Sequence, residues 1–289
     1  MIFSRIKRNL QITRRYKEKI RNSIIISDTF LNCKNPNNQL KVAIHFHVFY
    51  VDLLDEIYMH LKSIKTNFTL FITVIKKEDE KYVNDFFQEH EHSFTIKILE
   101  VENRGRDIYP FYLALHEHFK DYDIIAHFHT KKSMHSSFGN YWRTYLYNNL
   151  LGNNSLFDNI MELFSENSKL GFVTTPIISN KKIIDSYYYF KDNEANCKND
   201  IAYALDVFEV SKDNLFNCKQ NMDFPCGNMF IARTDAIRQF FEKNLSRDAF
   251  PEEKGQLAGT LQHFVELIWN YIVTSNNYEY KEVIKGNIK

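Results

Sequence analysis

Between residues 41 and 129 the chain alternates short apolar runs with stretches of helical period. Lys41–Phe49 (KVAIHFHVF), Thr69–Ile75 (TLFITVI), Thr95–Val101 (TIKILEV) and Tyr122–His129 (YDIIAHFH) are rich in β-branched and aromatic residues and have strand length. Val51–Lys65, a segment near Glu78–His90, and Ile108–Phe119 lie between them with helical patterning. Such regular alternation predicts an α/β fold, a mostly parallel sheet flanked by helices. In such a sheet ligands bind beyond the carboxyl ends of the strands, so chemistry is sought just after each one. The second half has longer steps. Tyr141–Leu150, Ser155–Ser165, Thr234–Asn244 and a long final Gly259–Thr274 read as helices, and Gly171–Pro176 and Met229–Arg233 as strands. Asp200–Phe208 is helical or irregular. No repeat or low-complexity tract breaks the pattern, so residues 41–289 are expected to form one domain. Residues 1–40 form an arm and linker: Ile2–Ile26 reads as a basic helix, and residues 32–39 (NCKNPNNQ) as a polar connection.

Charge changes this picture at one place. The chain of 289 residues is nearly neutral overall, at +1, yet residues 1–22 hold eight Lys/Arg against Glu18 alone. The remainder is therefore mildly acidic and unlike a nucleic-acid binder, and the arm is where an anionic membrane surface would dock. Cys33, Cys197, Cys218 and Cys226 are scattered without a CxxC pair, which argues against a zinc knuckle or disulfide framework and suits a reducing compartment. No apolar run approaches the ~20 residues of a membrane span. A soluble or peripheral protein is expected.

Four places carry candidate chemistry. Asn103-Arg104-Gly105-Arg106-Asp107 follows the third strand and opens a helix. Gly105 permits a tight turn, Asp107 can cap the helix, and two arginines offer forked donors for a diphosphate. His127-Phe128-His129-Thr130-Lys131-Lys132 ends the fourth strand. His127 and His129 face one way, as do His45 and His47 on the first strand; such pairs are a metal site or a hydrogen-bonded structural pair. Lys131 and Lys132 are phosphate-binding point charges or a solvated turn. Gly227-Asn228 precedes a strand, and Thr260, His263 and Glu266 share one helix face, with Glu252 and Glu253 just ahead. A histidine and a carboxylate so placed suit proton transfer.

With these segments in order, the sequence resembles the rhamnan synthesis protein F family of polysaccharide glycosyltransferases. The blocks are AIHFHVFYVDLLDEI (43–57), ENRGRDIYPF (102–111), HFHTKKS (127–133), YWRTYLYNNLLG (141–152), GFVTTP (171–176), CGNMFIAR (226–233) and FPEEKGQLAGTLQHFVEL (250–267). Only the basic arm lies outside them. The resemblance implies transfer of a sugar, often rhamnose from dTDP-rhamnose, to a lipid-linked glycan at the inner face of the cytoplasmic membrane. It also implies a fold similar to the A-type glycosyltransferases. The ENRGRD segment resembles the Asn-x-Gly segment beside the nucleotide in family-2 glycosyltransferases. The fourth-strand end then stands where those enzymes carry Asp-x-Asp.

Here that position reads His-Phe-His-Thr-Lys-Lys, so cationic side chains must replace the metal that neutralises a leaving diphosphate. A metal-independent, inverting displacement without a divalent cofactor is the expectation, with the donor held by Asn103, Arg104, Gly105, Arg106, Asp107, His129, Thr130, Lys131, Lys132, Gly227 and Asn228. The base is sought among Glu266, Glu253, His263 and Asp223. The family tends to have Asp and Arg where this chain has Ala258 and Leu267. Two other classes are carried: a metal-dependent hydrolase built on His45, His47, His127, His129 and Asp107, and a non-catalytic scaffold of polysaccharide assembly.

Overall fold

The computed structural model describes residues 17–27, 40–132, 138–177, 205–211, 213–214, 224–225, 227–256 and 260–286. All four cysteines, Asp223, Ala258, and most of the basic arm and of Asp200–Phe208 lie outside these.

The described strands form one sheet of eight: β1 (Ile24–Ser27), β2 (Val42–His47), β3 (Phe68–Val74), β4 (Thr95–Glu100), β5 (Ile124–His129), β6 (Leu170–Thr174), β7 (Phe230–Arg233) and β8 (Glu279–Gly286). Their order is β1-β8-β6-β7-β5-β2-β3-β4, and every pairing is parallel except the two made by β7. The helices are α1 (Leu54–Leu61), α2 (Lys77–Glu89), α3 (Ile108–Leu115), α4 (Phe138–Leu150), α5 (Leu156–Glu166), α6 (Thr234–Glu242) and α7 (Leu261–Ser275). The mixed α/β class with a mostly parallel sheet is as the alternating pattern predicts.

Register sorts the side chains. Val42, Ile44 and Phe46 of β2 lie beside Phe68, Leu70 and Ile72 of β3 and Ile124, Ala126 and Phe128 of β5. These point to one face, where α1, α2, α4 and α5 bury them. The intervening positions, Ala43, Phe71 and Ile125, point to the other face, under α3, α6 and α7. Because side chains alternate along a strand, His45, His47, Thr73, His127 and His129 fall on that second face as well. Both faces are covered, which explains why the central strands read as continuous apolar runs.

Two strands escape the sequence pattern. Ile24–Ser27 is not a continuation of a basic helix; only residues 17–22 are helical among the described part of the arm, and the chain then turns into an edge strand on β8. Lys19 Nζ holds Glu282 at 2.8 Å across that edge. The domain thus takes in part of the stretch expected to be a separate arm. β8 (EYKEVIKG) is too charged to read as a buried strand, yet it sits between β1 and β6. Helices α1 and α3 are also shorter than their patterns, each giving way to 3-10 turns at Val51–Leu53 and Phe119–Asp121. Among the described residues no helix is long and apolar enough to cross a membrane.

Phe111 of α3 is the packing centre of the second face, with ring centroids 4.4 Å from His127, 5.2 Å from Phe241 and 5.7 Å from Phe240. Phe111→Ala leaves a cavity that rigid strands cannot fill, and a loss of about 3–5 kcal/mol is expected. Urea unfolding reads this as a lowered midpoint at unchanged m-value; an unchanged midpoint contradicts the packing described.

Candidate functional site

The carboxyl ends of β2 and β5, the turn after β4, the entry to β7 and the start of α7 enclose a cavity of about 510 Å³. Its lining includes Asn103, Arg106, Asp107, His129, Thr130, Lys131, Lys132, Gly227, Asn228, Glu253, His263 and Glu266, so most of the residues singled out in the sequence converge on it. His47, Phe49, Tyr50, Ile108 and Gln262 line it too.

Arg104 and Gly105 have another place. Arg104 turns away from the cavity, donating to the Phe250 carbonyl at 2.6 Å and meeting Glu102 and Glu252 at 3.0 and 3.3 Å. It staples the turn to the 250–256 strap rather than offering a fork to a ligand. Gly105 packs against Phe250 and Tyr109: a Cβ there would come within 2.7 and 2.6 Å of them. Four residues around the cavity hold left-handed backbone, Gly105 (φ 61°), Arg106 (φ 52°), Gly227 (φ 93°) and Asn228 (φ 52°). For Arg106 and Asn228 this is a strained conformation, of the kind that gathers at functional sites and persists only when the surroundings enforce it.

Cations occupy one side. Arg106 lies 3.5 Å from Glu253 and donates to the Gln256 carbonyl. Lys131 sits 4.2 Å over the Trp142 ring, and Lys132 bonds Asp52 and lies 5.1 Å over Tyr50. The Lys131 turn is held by Arg143, which reaches its carbonyl at 2.6 Å while paired with Glu56. Thr130 has a structural duty: its hydroxyl accepts the backbone N–H groups of Phe49 and Tyr50 at 2.9 and 3.0 Å, joining the exits of β2 and β5.

Carboxylates line the same cavity. Glu266 accepts the Gly227 N–H at 3.1 Å, and Glu253 accepts the Gln262 amide at 3.0 Å. His263 shares its Nδ1 with the Thr260 hydroxyl at 2.6 Å. The second-face stripe runs beneath. His127 Nε2 meets Asp107 at 3.0 Å, His127 Nδ1 meets His45 Nδ1 at 3.0 Å, and Thr73 Oγ1 bridges His45 Nε2 and His47 Nδ1, each at 3.0 Å. Asn228 donates to Asp107 and accepts the Trp269 indole N–H at 2.9 Å. His129 Nε2 donates to the Gly227 carbonyl at 2.9 Å.

Two expectations change here. Asp107 stands at the head of α3, but its side chain makes no capping bond and is drawn instead to His127 and Asn228. The four histidines do not converge as a ligand set: His45 and His127 turn their ring nitrogens on each other, Thr73 and Asp107. Among the described residues no three His, Cys, Asp or Glu side chains are grouped to hold a metal ion. Thr73, Gln262 and Trp269 carry no signal of their own in the sequence pattern. Thr73 looks like any β-branched strand residue, and Gln262 sits inside the GTLQHFVE segment without standing out.

The chain matches the family described as rhamnan synthesis protein F over residues 8–278. It belongs to that family. The match starts within the basic arm, earlier than the resembling blocks, in keeping with β1 being part of the sheet. Uncharacterized WxcX proteins from two strains of Xanthomonas campestris pv. campestris are each 28% identical over 233 residues, 80% of this chain and 31% of theirs. The chain spans about a third of the length of these curated relatives. Core-mannan synthase A from Aspergillus fumigatus, solved in a Mn/GDP form, is similar over 84% of this chain and 73% of its own at 10% identity, with a TM-score of 0.32.

Burial shapes the electrostatics of this rhamnan synthesis protein F domain. Desolvation pushes His45, His47 and His127 down, His47 to about 3. Desolvation and then the nearby Arg106 charge push His263 to about 3. For Asp107, burial favours the neutral acid, but His129, His127 and Asn228 outweigh it and hold the carboxyl well below the usual range. All four of these histidines are therefore neutral at pH 7 and Asp107 is ionised.

A histidine whose folded pKa lies below its unfolded value of about 6.5 binds more protons when unfolded across that interval. Its contribution is present above pH 6.5 and is lost as pH falls toward 3. Thermal midpoints should thus begin to drop near pH 6.5, well above the onset set by ordinary carboxylates. A midpoint flat down to pH 5 contradicts this neutral, buried set.

Proposed function

We propose that the chain is a glycosyltransferase domain that moves a sugar from a nucleoside-diphosphate donor to a lipid-linked surface-polysaccharide acceptor. The observation that carries this reading is the joining of Arg106, Lys131 and Lys132 in one cavity at the strand ends, together with Glu253 and Glu266. A leaving diphosphate develops negative charge as the sugar–oxygen bond breaks, and preorganised cations in a partly enclosed site stabilise it most effectively. The cavity volume is in the range that holds a small-molecule substrate. The rhamnan synthesis family fits polysaccharide assembly, and rhamnose is the donor sugar that the family's name suggests.

The reading is of direct displacement with inversion, in an A-type glycosyltransferase setting and without a divalent ion, because arginine and lysines stand at the strand exit where a metal-binding carboxylate pair would otherwise serve. Phe49 and Tyr50 at the mouth offer aromatic surface for a base or sugar ring. The eight Lys/Arg among residues 1–22 suit the anionic inner face of the cytoplasmic membrane, where a lipid-linked acceptor resides.

A thermal-shift series with UDP, dTDP and GDP, each with and without EDTA, tests this. At least one nucleoside diphosphate should raise the midpoint by mass action, equally in EDTA. Arg106→Gln should weaken that ligand roughly ten- to hundredfold, the equivalent of losing a hydrogen bond to a charged group, about 1.5–3 kcal/mol. If no nucleoside diphosphate stabilises the protein, the transferase reading fails; if binding vanishes in EDTA, its metal-free form does.

A further inference from the structure

The bonds beneath the cavity form a single chain whose direction is fixed at one end. Trp269 donates its indole N–H to Asn228 Oδ1, which orients the Asn228 amide so that its NH₂ faces Asp107. Asp107 is an ionised carboxylate and can only accept, so His127 carries its proton on Nε2. His127 is neutral, which leaves its Nδ1 bare, and the His45 Nδ1 at 3.0 Å must be the donor to it. His45 is neutral in turn, so its Nε2 accepts from the Thr73 hydroxyl. The Thr73 oxygen then accepts from His47 Nδ1–H. Each group has one remaining choice and the choice is made by its neighbour. The last one leaves His47 Nε2 without a proton.

His47 lines the cavity, and its Nε2 has no hydrogen-bond partner among the described residues. From this geometry we infer that His47 Nε2 is the proton acceptor for the incoming acceptor hydroxyl, and that Thr73, His45, His127 and Asp107 are positioning residues that hold its lone pair toward the cavity. This rests on the transferase reading and names the base for it. Each of the other described cavity candidates also makes a hydrogen bond or ion pair. Glu266 accepts the Gly227 N–H, Glu253 is held by Arg106 and Gln262, and His263 Nδ1 is engaged by Thr260.

In the step itself, the acceptor oxygen forms a bond to the anomeric carbon. The bond from that carbon to the diphosphate oxygen breaks, and its electron pair leaves with the diphosphate. The hydroxyl proton passes to His47 Nε2. Asp107 faces the resulting imidazolium through the chain, as do His127 and His129, and the donor's diphosphate adds negative charge in the same cavity. Both the ionised Asp107 and the arriving diphosphate favour the protonated ring, against the burial that otherwise keeps it neutral.

Long-range ¹H–¹⁵N spectra of the full chain labelled at histidine read the tautomers directly. In the wild type His47 should carry its proton on Nδ1 and His127 on Nε2. Asp107→Ala removes the acceptor that fixes His127, and the single-tautomer signals of His127 and His47 should give way to mixtures of both tautomers. Kinetics with a nucleotide sugar of whichever nucleoside diphosphate stabilises the protein supply the second readout. His47→Gln and Thr73→Val should each lower kcat, by roughly 10²–10⁴ for loss of the base, while the thermal shift by that nucleoside diphosphate persists. Thr73→Ser, which keeps the hydroxyl, should retain turnover. A wild-type His47 protonated on Nε2, or near-normal kcat in His47→Gln, overturns the assignment. Absence of any nucleoside-diphosphate stabilisation in the wild type strikes the transferase reading instead, and the two failures are told apart by that control.

Discussion

The parallel register of β2, β3 and β5 is the constraint on which the site depends. It sets His45 beside Phe71 and His127, and His47 beside Thr73 and His129. Polar side chains on three adjacent strands therefore form one stripe beneath α3 and α7, each within reach of the next. Slipping one strand by a single residue would turn its part of the stripe to the opposite face, among Phe46 and Phe128. A stripe of polar groups in the middle of an apolar layer costs desolvation unless every group is paired. Here the pairing runs from Thr73 to Trp269 and encloses the only ionised member, Asp107, between an imidazole and an amide.

The two strained turns follow from the same need. Arg106 cannot reach the cavity while Asp107 reaches His127 unless the backbone between β4 and α3 doubles back, which the successive left-handed residues Gly105 and Arg106 achieve. Gly227 and Asn228 do the same on the opposite wall, where Asn228 must meet Asp107 and Trp269 together. Gly105 has a second reason to lack a side chain, since Phe250 and Tyr109 close over it. The strap from Phe250 to Gln256 then takes up Arg104 and Arg106 and ties the turn to the lead-in of α7.

Much of this was legible in the sequence, and the parts that were not have physical causes. Apolar runs bounded by helical periods gave away β2, β3 and β5, because strands buried on both faces carry an unmistakable composition, while the largely exposed edge strand β4 showed only as a short β-branched run. Arg106, Lys131 and Lys132 followed from looking just past strand ends, whereas Asn228 came from a glycine ahead of a strand and Glu266 from a shared helix face. The charged β8 stayed hidden, because a strand that is only half-buried need not look apolar. The diversion of Arg104 was equally invisible, since whether an arginine faces a ligand or a carbonyl 146 residues away is a matter of tertiary placement. For the HxH pairs, spacing showed that the rings share a face, but the choice between a metal and each other depends on the distance between neighbouring strands.

The reversal of β7 has a topological consequence. β6 runs parallel to β5, so the chain leaves β6 at the rim where β2 and β5 also finish, and it enters β7 from that same rim. The chain therefore leaves Thr174 and re-enters at Phe230 from one end of the sheet. Insertions and deletions in that span can reshape what the rim accepts while the hydrogen-bonded floor keeps its form. Selectivity and chemistry are thereby assigned to stretches of polypeptide that can evolve at different speeds.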